Sequence, residues 1–201
     1  MNIAVLLSGR GSNFMAIHRA VSDGEIRDSK IVSVISSRPG AKGLEYAIER
    51  GLNGKFLSPK DYASPAQYDT AIAGELEANG AEVVCLAGYM RIATEVLVDR
   101  YYGRIMNIHP SLLPAFQGLD AQKQALEYGV KLSGCTVHFV DNGVDTGPII
   151  AQRGVDVYDN DTVKSLSERI LEQEHLLYPY VLSLFEQGKI KVEGRRVYIN
   201  Q

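Results

Sequence analysis

The chain has no tryptophan and only two cysteines among its 201 residues. Cys85 and Cys135 each sit inside an apolar run, and no cysteine pair stands at metal-finger spacing. Structural zinc is therefore unsupported, and two small buried hydrophobes in a reducing compartment are the expectation. Basic runs are equally scarce. No Lys/Arg block exceeds two residues and the formal net charge is -3, so the positive stripe of a nucleic-acid binder is missing. No stretch approaches the ~20 apolar residues that span a membrane. The opening run Met1 to Leu7 lacks a basic flank and is too short for a signal peptide. These absences leave a cytoplasmic protein with neither membrane nor nucleic acid as a partner. There is no internal repeat and no low-complexity linker. A chain of 201 residues fits one domain, or one domain with a small appended subdomain, and a content of 45% hydrophobic and 22% charged residues suits a protein that buries one core.

Short apolar runs alternate with helical spacing over the first half. Asn2 to Leu7, Lys30 to Ser36, Lys55 to Leu57, Glu82 to Ala87 and Arg104 to Ile108 read as strands. Asn13 to Asp23, Ala41 to Arg50, Ala66 to Asn79 and Thr94 to Arg100 read as helices. This alternation predicts an α/β fold, doubly wound, with a mostly parallel sheet and helices on both faces. The second half differs. Leu132 to Val140 and Gly147 to Val157 are joined by about six residues, too few for a helical crossover, so they should pair antiparallel and make the sheet mixed. A helix from Thr162 to Gln187 follows, with Asp161 as the expected N-cap and Gly188 beyond its end. Lys189 to Val192 and Arg195 to Ile199 should close the chain as a hairpin.

Three segments carry chemistry, each at the carboxyl end of a strand, where ligands bind in such sheets. Ser8-Gly9-Arg10-Gly11-Ser12-Asn13 lies between the first strand and the first helix. Its glycines and the helix-start N–H groups make an anion site suited to phosphate, against the plainer reading of a tight turn capped by Ser12. It is a poor dinucleotide fingerprint. Phe14 stands where the third glycine belongs, and Ser36-Ser37-Arg38 replaces the acidic residue that would bind a ribose. In the second segment, Asn107-Ile108-His109-Pro110, residues two apart on a strand share a face. An amide donor and an imidazole are thus side by side, a pair suited to stabilising an oxyanion in acyl transfer. The third segment is the turn Asp141-Asn142-Gly143-Val144-Asp145-Thr146. It does not fit a calcium loop, because Thr146 occupies the required glycine position. If Asp145 reaches His109, it should favour the imidazolium and raise its pKa. Of the other histidines, His138 reads as a structural residue and His18 as solvated on the polar side of the first helix.

These residues, together with Leu86-Ala87-Gly88-Tyr89-Met90-Arg91-Ile92, Ser111-Leu112-Leu113-Pro114, Gly134 to Val140, Gly147-Pro148 and Glu174-His175, closely resemble the formyl-folate transferase family, and within it the glycinamide ribonucleotide formyltransferases, over essentially the whole chain. The resemblance implies one formyltransferase domain over 1–201, with a Rossmann-like phosphate-binding half at 1–100 and a catalytic and folate-binding half at 101–201. It implies that Gly11, Ser12 and Asn13 hold the ribonucleotide phosphate and that Glu174 contacts the same substrate. Met90, Arg91, Ile92, Ala93, Val140, Asp141 and Asn107 would border the folate. Asn107, His109 and Asp145 would be the catalytic trio. The implied co-substrate is 10-formyltetrahydrofolate, the acceptor is phosphoribosylglycinamide, no metal is called for, and the protein would be a monomer or homodimer.

The chain departs from the family pattern at a few positions. Pro65 and Gln67 precede Tyr68-Asp69 where Arg is common, and Lys60 is a candidate to replace it. Gln117 stands for a usual Pro, Asp120 for a common His, and Ala93 for a larger aliphatic. The rival readings are a transfer-RNA or sugar-nucleotide formyltransferase, a formyl-folate hydrolase, a nucleotide-binding oxidoreductase and a non-catalytic folate- or nucleotide-binding module.

Overall fold

Ile3 to Leu7 are wholly buried because the strand they form, β1 (Asn2–Leu7), has a parallel neighbour on each side. A near-continuous apolar run is what a strand covered on both faces requires. In the computed structural model, which describes residues 1–200, the chain divides into two units, Met1–Asn107 and Ile108–Gln201. In the first unit, β2 (Lys30–Ser36) and β4 (Val83–Leu86) flank β1. The short β3 (Gly54–Phe56) adds outside β2, and β5 (Ile105–His109) pairs with β4. All four pairings are parallel, so each connection is a crossover. Helices α1 (Ser12–Ser22), α2 (Lys42–Glu49), α3 (Pro65–Ala78) and α4 (Glu95–Arg100) make them. Helix α1 buries Asn13, Phe14, Ile17 and Ala20, one stripe at three- and four-residue spacing. Burying a side chain such as Phe14 or Ile17 contributes about 1.5–3 kcal/mol each. Helix α3 begins one residue earlier than its spacing suggests, since Pro65 suits the first helical position and Ser64 caps it by accepting from Gln67 N at 3.2 Å.

In the second unit, β6 (Leu132–Phe139) and β7 (Ile149–Asp156) pair antiparallel, from Leu132 opposite Asp156 to His138 opposite Ile149. The 24-residue α6 (Val163–Glu186) buries Leu166, Ile170, Glu174, Leu177, Tyr178, Val181 and Leu182 along one face. Its N-cap is Thr162, not Asp161. Thr162 and Ser165 form a reciprocal capping box, and Asp161 instead takes Arg169 bidentately at 2.8 and 2.9 Å. Helix α5 (Ala121–Tyr128) has no counterpart in the sequence reading, and it starts at Asp120 in a left-handed conformation with no side-chain cap. Strands β8 (Ile190–Glu193) and β9 (Arg196–Ile199) form a separate antiparallel pair. The main sheet runs β3-β2-β1-β4-β5-β6-β7, so the fold is α/β with a mostly parallel, mixed seven-stranded sheet flanked by helices. Among the described residues, no helix is long and apolar enough to cross a membrane.

Candidate active site

The loop after β1 enters α1 through Gly11, whose φ of 74° is left-handed and open to glycine at little strain. Gly11 therefore stands at the N-cap position, and Ser12 is the first helical residue rather than the cap. A Cβ on Gly11 would lie 2.5 Å from the Cα of Gly43, at the start of α2, so the two backbones are in direct contact. The Gly43 N–H donates to the Gly9 carbonyl at 3.1 Å. A cleft of about 390 Å³ opens beside this loop, lined by Ser8, Gly9, Arg10, Arg38, Gly40 and Lys42 among others. Three cations and the positive end of a helix dipole thus surround the glycine turn, an arrangement that attracts anions. Asn13 is buried, while Ser12 is partly exposed.

The end of β1 is tied to the ends of its neighbours. Ser8 Oγ lies 2.7 Å from Ser37 Oγ, and it accepts from the Met90 N–H at 2.9 Å. This places the segment after β4. Met90 and Ile92 are largely exposed, Ala93 is buried, and the Arg91 guanidinium sits 5.0 Å from the centre of the Tyr68 ring. The segment is anchored at its far end, where the Thr94 N–H donates to the buried Asp69 carboxylate at 2.6 Å. Burial raises the Asp69 pKa, against that bond and Arg91. Lys60 sits exposed in a short 3-10 turn, Pro59–Asp61. Gln67 spends its side chain on local structure, accepting from Ala63 N at 3.1 Å.

Asn107 and His109 share one face of the end of β5, and Pro110 follows. His109 is 5% exposed. Its Nδ1 lies 3.2 Å from Asp145 Oδ2 and its Nε2 lies 2.8 Å from the Phe116 carbonyl oxygen. Both partners accept, so the neutral ring can satisfy only one of them and the imidazolium satisfies both. Burial opposes this. It pushes the His109 pKa below its ordinary value and outweighs the Phe116 carbonyl and the Asp145 carboxylate, which both raise it. The expected direction is therefore corrected. Asp145 does favour the imidazolium, but the desolvation of a buried ring is the larger effect. Asp145 itself remains ionised. Burial would raise its pKa, but His138, the Gly118 N–H at 2.9 Å and His109 together hold it below the usual carboxylate range.

His138, read from the sequence as structural, lies in this cluster. Its Nε2 lies 3.7 Å from Asp145 Oδ1, and its Nδ1 lies 2.7 Å from the Phe139 carbonyl. One carboxylate thus faces two imidazoles. Sequence reasoning places neither Phe116, Gly118 nor His138 among the catalytic groups; only the departure at Gln117 marks the segment that supplies the first two. Asp141 Oδ1 accepts from Gly143 N at 3.1 Å and Thr146 Oγ1 at 2.6 Å, so it orders its own loop. Val140 is partly buried at the start of that loop. Glu174 is 6% exposed on α6. Burial, and then the charge of Glu174, push the Cys135 thiol up to about 12. Both cysteines are buried thiols with no disulfide between them. His18, expected to be solvated, is partly buried with Nδ1 2.9 Å from Tyr46 Oη. Among the described residues, no three His, Cys, Asp or Glu side chains converge as metal ligands would.

Comparison with known proteins gives this geometry a family. The formyl transferase family model matches residues 1–182. The chain is 43% identical over 179 residues to the phosphoribosylglycinamide formyltransferase of Bacillus subtilis, covering 89% of this chain and 91% of that one. It is 45% identical over 194 residues to the trifunctional purine biosynthetic protein adenosine-3 of Chironomus tentans, covering 96% of this chain and only 14% of that much longer protein. The solved glycinamide ribonucleotide transformylase 1 of Symbiobacterium toebii superposes with a TM-score of 0.98 at 49% identity, over 100% of this chain and 94% of that one. The chain belongs to the formyl transferase family, in its phosphoribosylglycinamide formyltransferase branch.

Proposed function

We propose that the protein transfers the formyl group of 10-formyltetrahydrofolate to the amine of phosphoribosylglycinamide, the formylation step of de novo purine synthesis, in the cytoplasm. The observation that carries this reading is the buried His109–Asp145 pair at 3.2 Å, two residues along β5 from Asn107. The anion-attracting turn at Gly11, Ser12 and Asn13 suits the substrate phosphate, and Glu174 suits its glycinamide end. Met90, Arg91, Ile92 and Ala93, with Val140 and Asp141, serve the folate.

In the proposed reaction the neutral amine attacks the formyl carbon. A carbon–nitrogen bond forms, the carbonyl oxygen becomes an oxyanion, and the bond to N10 of the folate then breaks. Asn107 donates to the oxyanion without changing charge. His109 donates from Nε2 as the imidazolium, so the Phe116 carbonyl must yield its place to the formyl oxygen. Asp145 stabilises the imidazolium, and the proton lost by the amine passes to N10 of the leaving folate. Two acceptors that favour the imidazolium, set against burial that favours the neutral ring, make His109 the group suited to carry the proton. The test is an absorbance assay of folate product with both substrates. Formate release without the amine, and no transfer with it, would instead indicate a hydrolase.

A further inference from the structure

Asp145 adopts φ 53°, a left-handed conformation that an ordinary residue avoids unless its surroundings impose it. From that backbone its carboxylate serves three groups at once: His109 Nδ1, the Gly118 N–H and His138 Nε2. Such a three-way reach tolerates little rotation of the peptide that carries it. Two side chains hold that peptide from different parts of the chain. Gln117 Nε2 donates to the carbonyl of Asp145 at 3.1 Å, and Arg195 Nη2 donates to the next carbonyl, that of Thr146, at 2.8 Å.

We infer that Gln117 and Arg195 are positioning residues for formyl transfer, gripping the consecutive carbonyls of Asp145 and Thr146 so that the Asp145 carboxylate spans His109 and His138. Each grip is itself anchored. Gln124 Nε2, from α5, donates to the carbonyls of Gln117 and Leu119 at 3.1 and 2.9 Å, fixing the segment from which Gln117 reaches out. Arg195 stands in the turn between β8 and β9, so the hairpin outside the main sheet delivers a guanidinium to the loop beside the reacting groups. A two-stranded hairpin has little stability of its own, and this contact gives it a part in the chemistry.

This inference rests on the proposed reaction for its kinetic test, but it has a readout that does not need turnover. The variants are Gln117→Met, Arg195→Met, the double variant and Arg195→Lys. Each methionine variant should lower kcat about fivefold, the worth of one ordinary hydrogen bond, and the double variant about 25-fold if the two grips act independently. KM for both substrates and the melting temperature should stay near those of the unsubstituted protein. Arg195→Lys, which keeps one donor, should recover most of the loss. In parallel, NMR titration of the His109 imidazole should show it moving toward acid in the double variant, as the Asp145 carboxylate withdraws from it. The groups facing His109 are Asp145, His138 and the Phe116 carbonyl, so Asp145 is the carboxylate whose withdrawal this ring reports. A double variant with kcat within about twofold of the parent overturns the inference, since even one lost bond should exceed that. So does an unmoved His109 titration, or a loss of rate that only follows a fall in melting temperature. If the parent protein transfers no formyl group, the functional reading fails, and the imidazole titration alone decides the grip.

Discussion

Replacing Asp145 with asparagine separates charge from shape at the centre of the site. Asparagine tolerates the left-handed backbone found there, and its amide oxygen can keep the bond from the Gly118 N–H, so the fold should survive. What is lost is the negative charge 3.2 Å from His109 Nδ1 and 3.7 Å from His138 Nε2. At 3.2 Å, with an effective dielectric of about 20, two full charges interact by about 5 kcal/mol, which is an upper bound. A neighbouring carboxylate usually moves an imidazole by about 1 to 3 pH units, or about 1.4 to 4 kcal/mol. Burial already pushes His109 below its ordinary pKa, so removing the carboxylate takes it further down. The imidazolium fraction near neutral pH should fall about 10- to 1000-fold, and kcat with it. KM should change little, because substrate contacts remain. Activity of both should rise as the pH is lowered, and that of the variant should keep rising to lower pH than that of the parent, because its imidazole has lost the carboxylate that favours the charged form. Steady-state assays from about pH 5 to 9, a window that spans the ordinary imidazole range, would read this directly. A variant with kcat within about threefold of the parent and an unmoved pH profile would refute the role given to the carboxylate.

Three further outcomes follow from other parts of the molecule. Asn107→Ala should keep its circular dichroism spectrum while kcat falls about 100- to 1000-fold, the usual effect of losing one oxyanion donor; near-normal turnover removes Asn107 from the mechanism. Gly11→Ala forces a Cβ against the Gly43 backbone at φ 74°. At about 1–2 kcal/mol for the backbone conformation alone, the melting temperature should fall by at least about 2–4 °C, and an unchanged melting curve would contradict the close packing. Asp161 is held below the usual carboxylate range by Arg169 and the Tyr158 N–H. The unfolded chain therefore takes up that proton first as pH falls, so the stability from this carboxylate is present above about pH 4 and is lost below it. In Asp161→Asn, the melting temperature should depend less steeply on pH between about 5 and 2 than in the parent, and equal slopes would argue against the linkage.

The strands are the most legible part of the chain because burial on both faces leaves a run of apolar residues that nothing else explains. β1 and β2 have the bounds their sequences suggest. Helix α5 escapes a reading by periodicity because Ala121–Tyr128 buries only Ala121 and Ala125, too thin a stripe to reveal a period, and begins without a side-chain cap. The capping of α6 is displaced by one residue, since Asp161, Thr162 and Ser165 are all plausible caps and only the position of Arg169 decides which is otherwise engaged. At the site, strand periodicity suffices to put Asn107 beside His109. The approach of Asp145 depends on how the β6–β7 pair returns, which no local spacing encodes. The same holds for His138, which meets Asp145 only across the turn that joins those strands. The pKa of His109 differs from expectation for a related reason. A nearby carboxylate can be guessed from sequence, whereas the depth of burial that opposes it cannot.

The contact between Gly11 and Gly43 has an evolutionary consequence. Because each backbone occupies the space that the other's side chain would need, enlarging one position cannot be rescued by changing the other, already the smallest residue there is. The two glycines behave as a single character under mutation, with no compensating partner between them. A library varied at both positions and selected for purine prototrophy should return glycine at each, and the loop that follows β1 would then be inherited together with the helix start that leans on it.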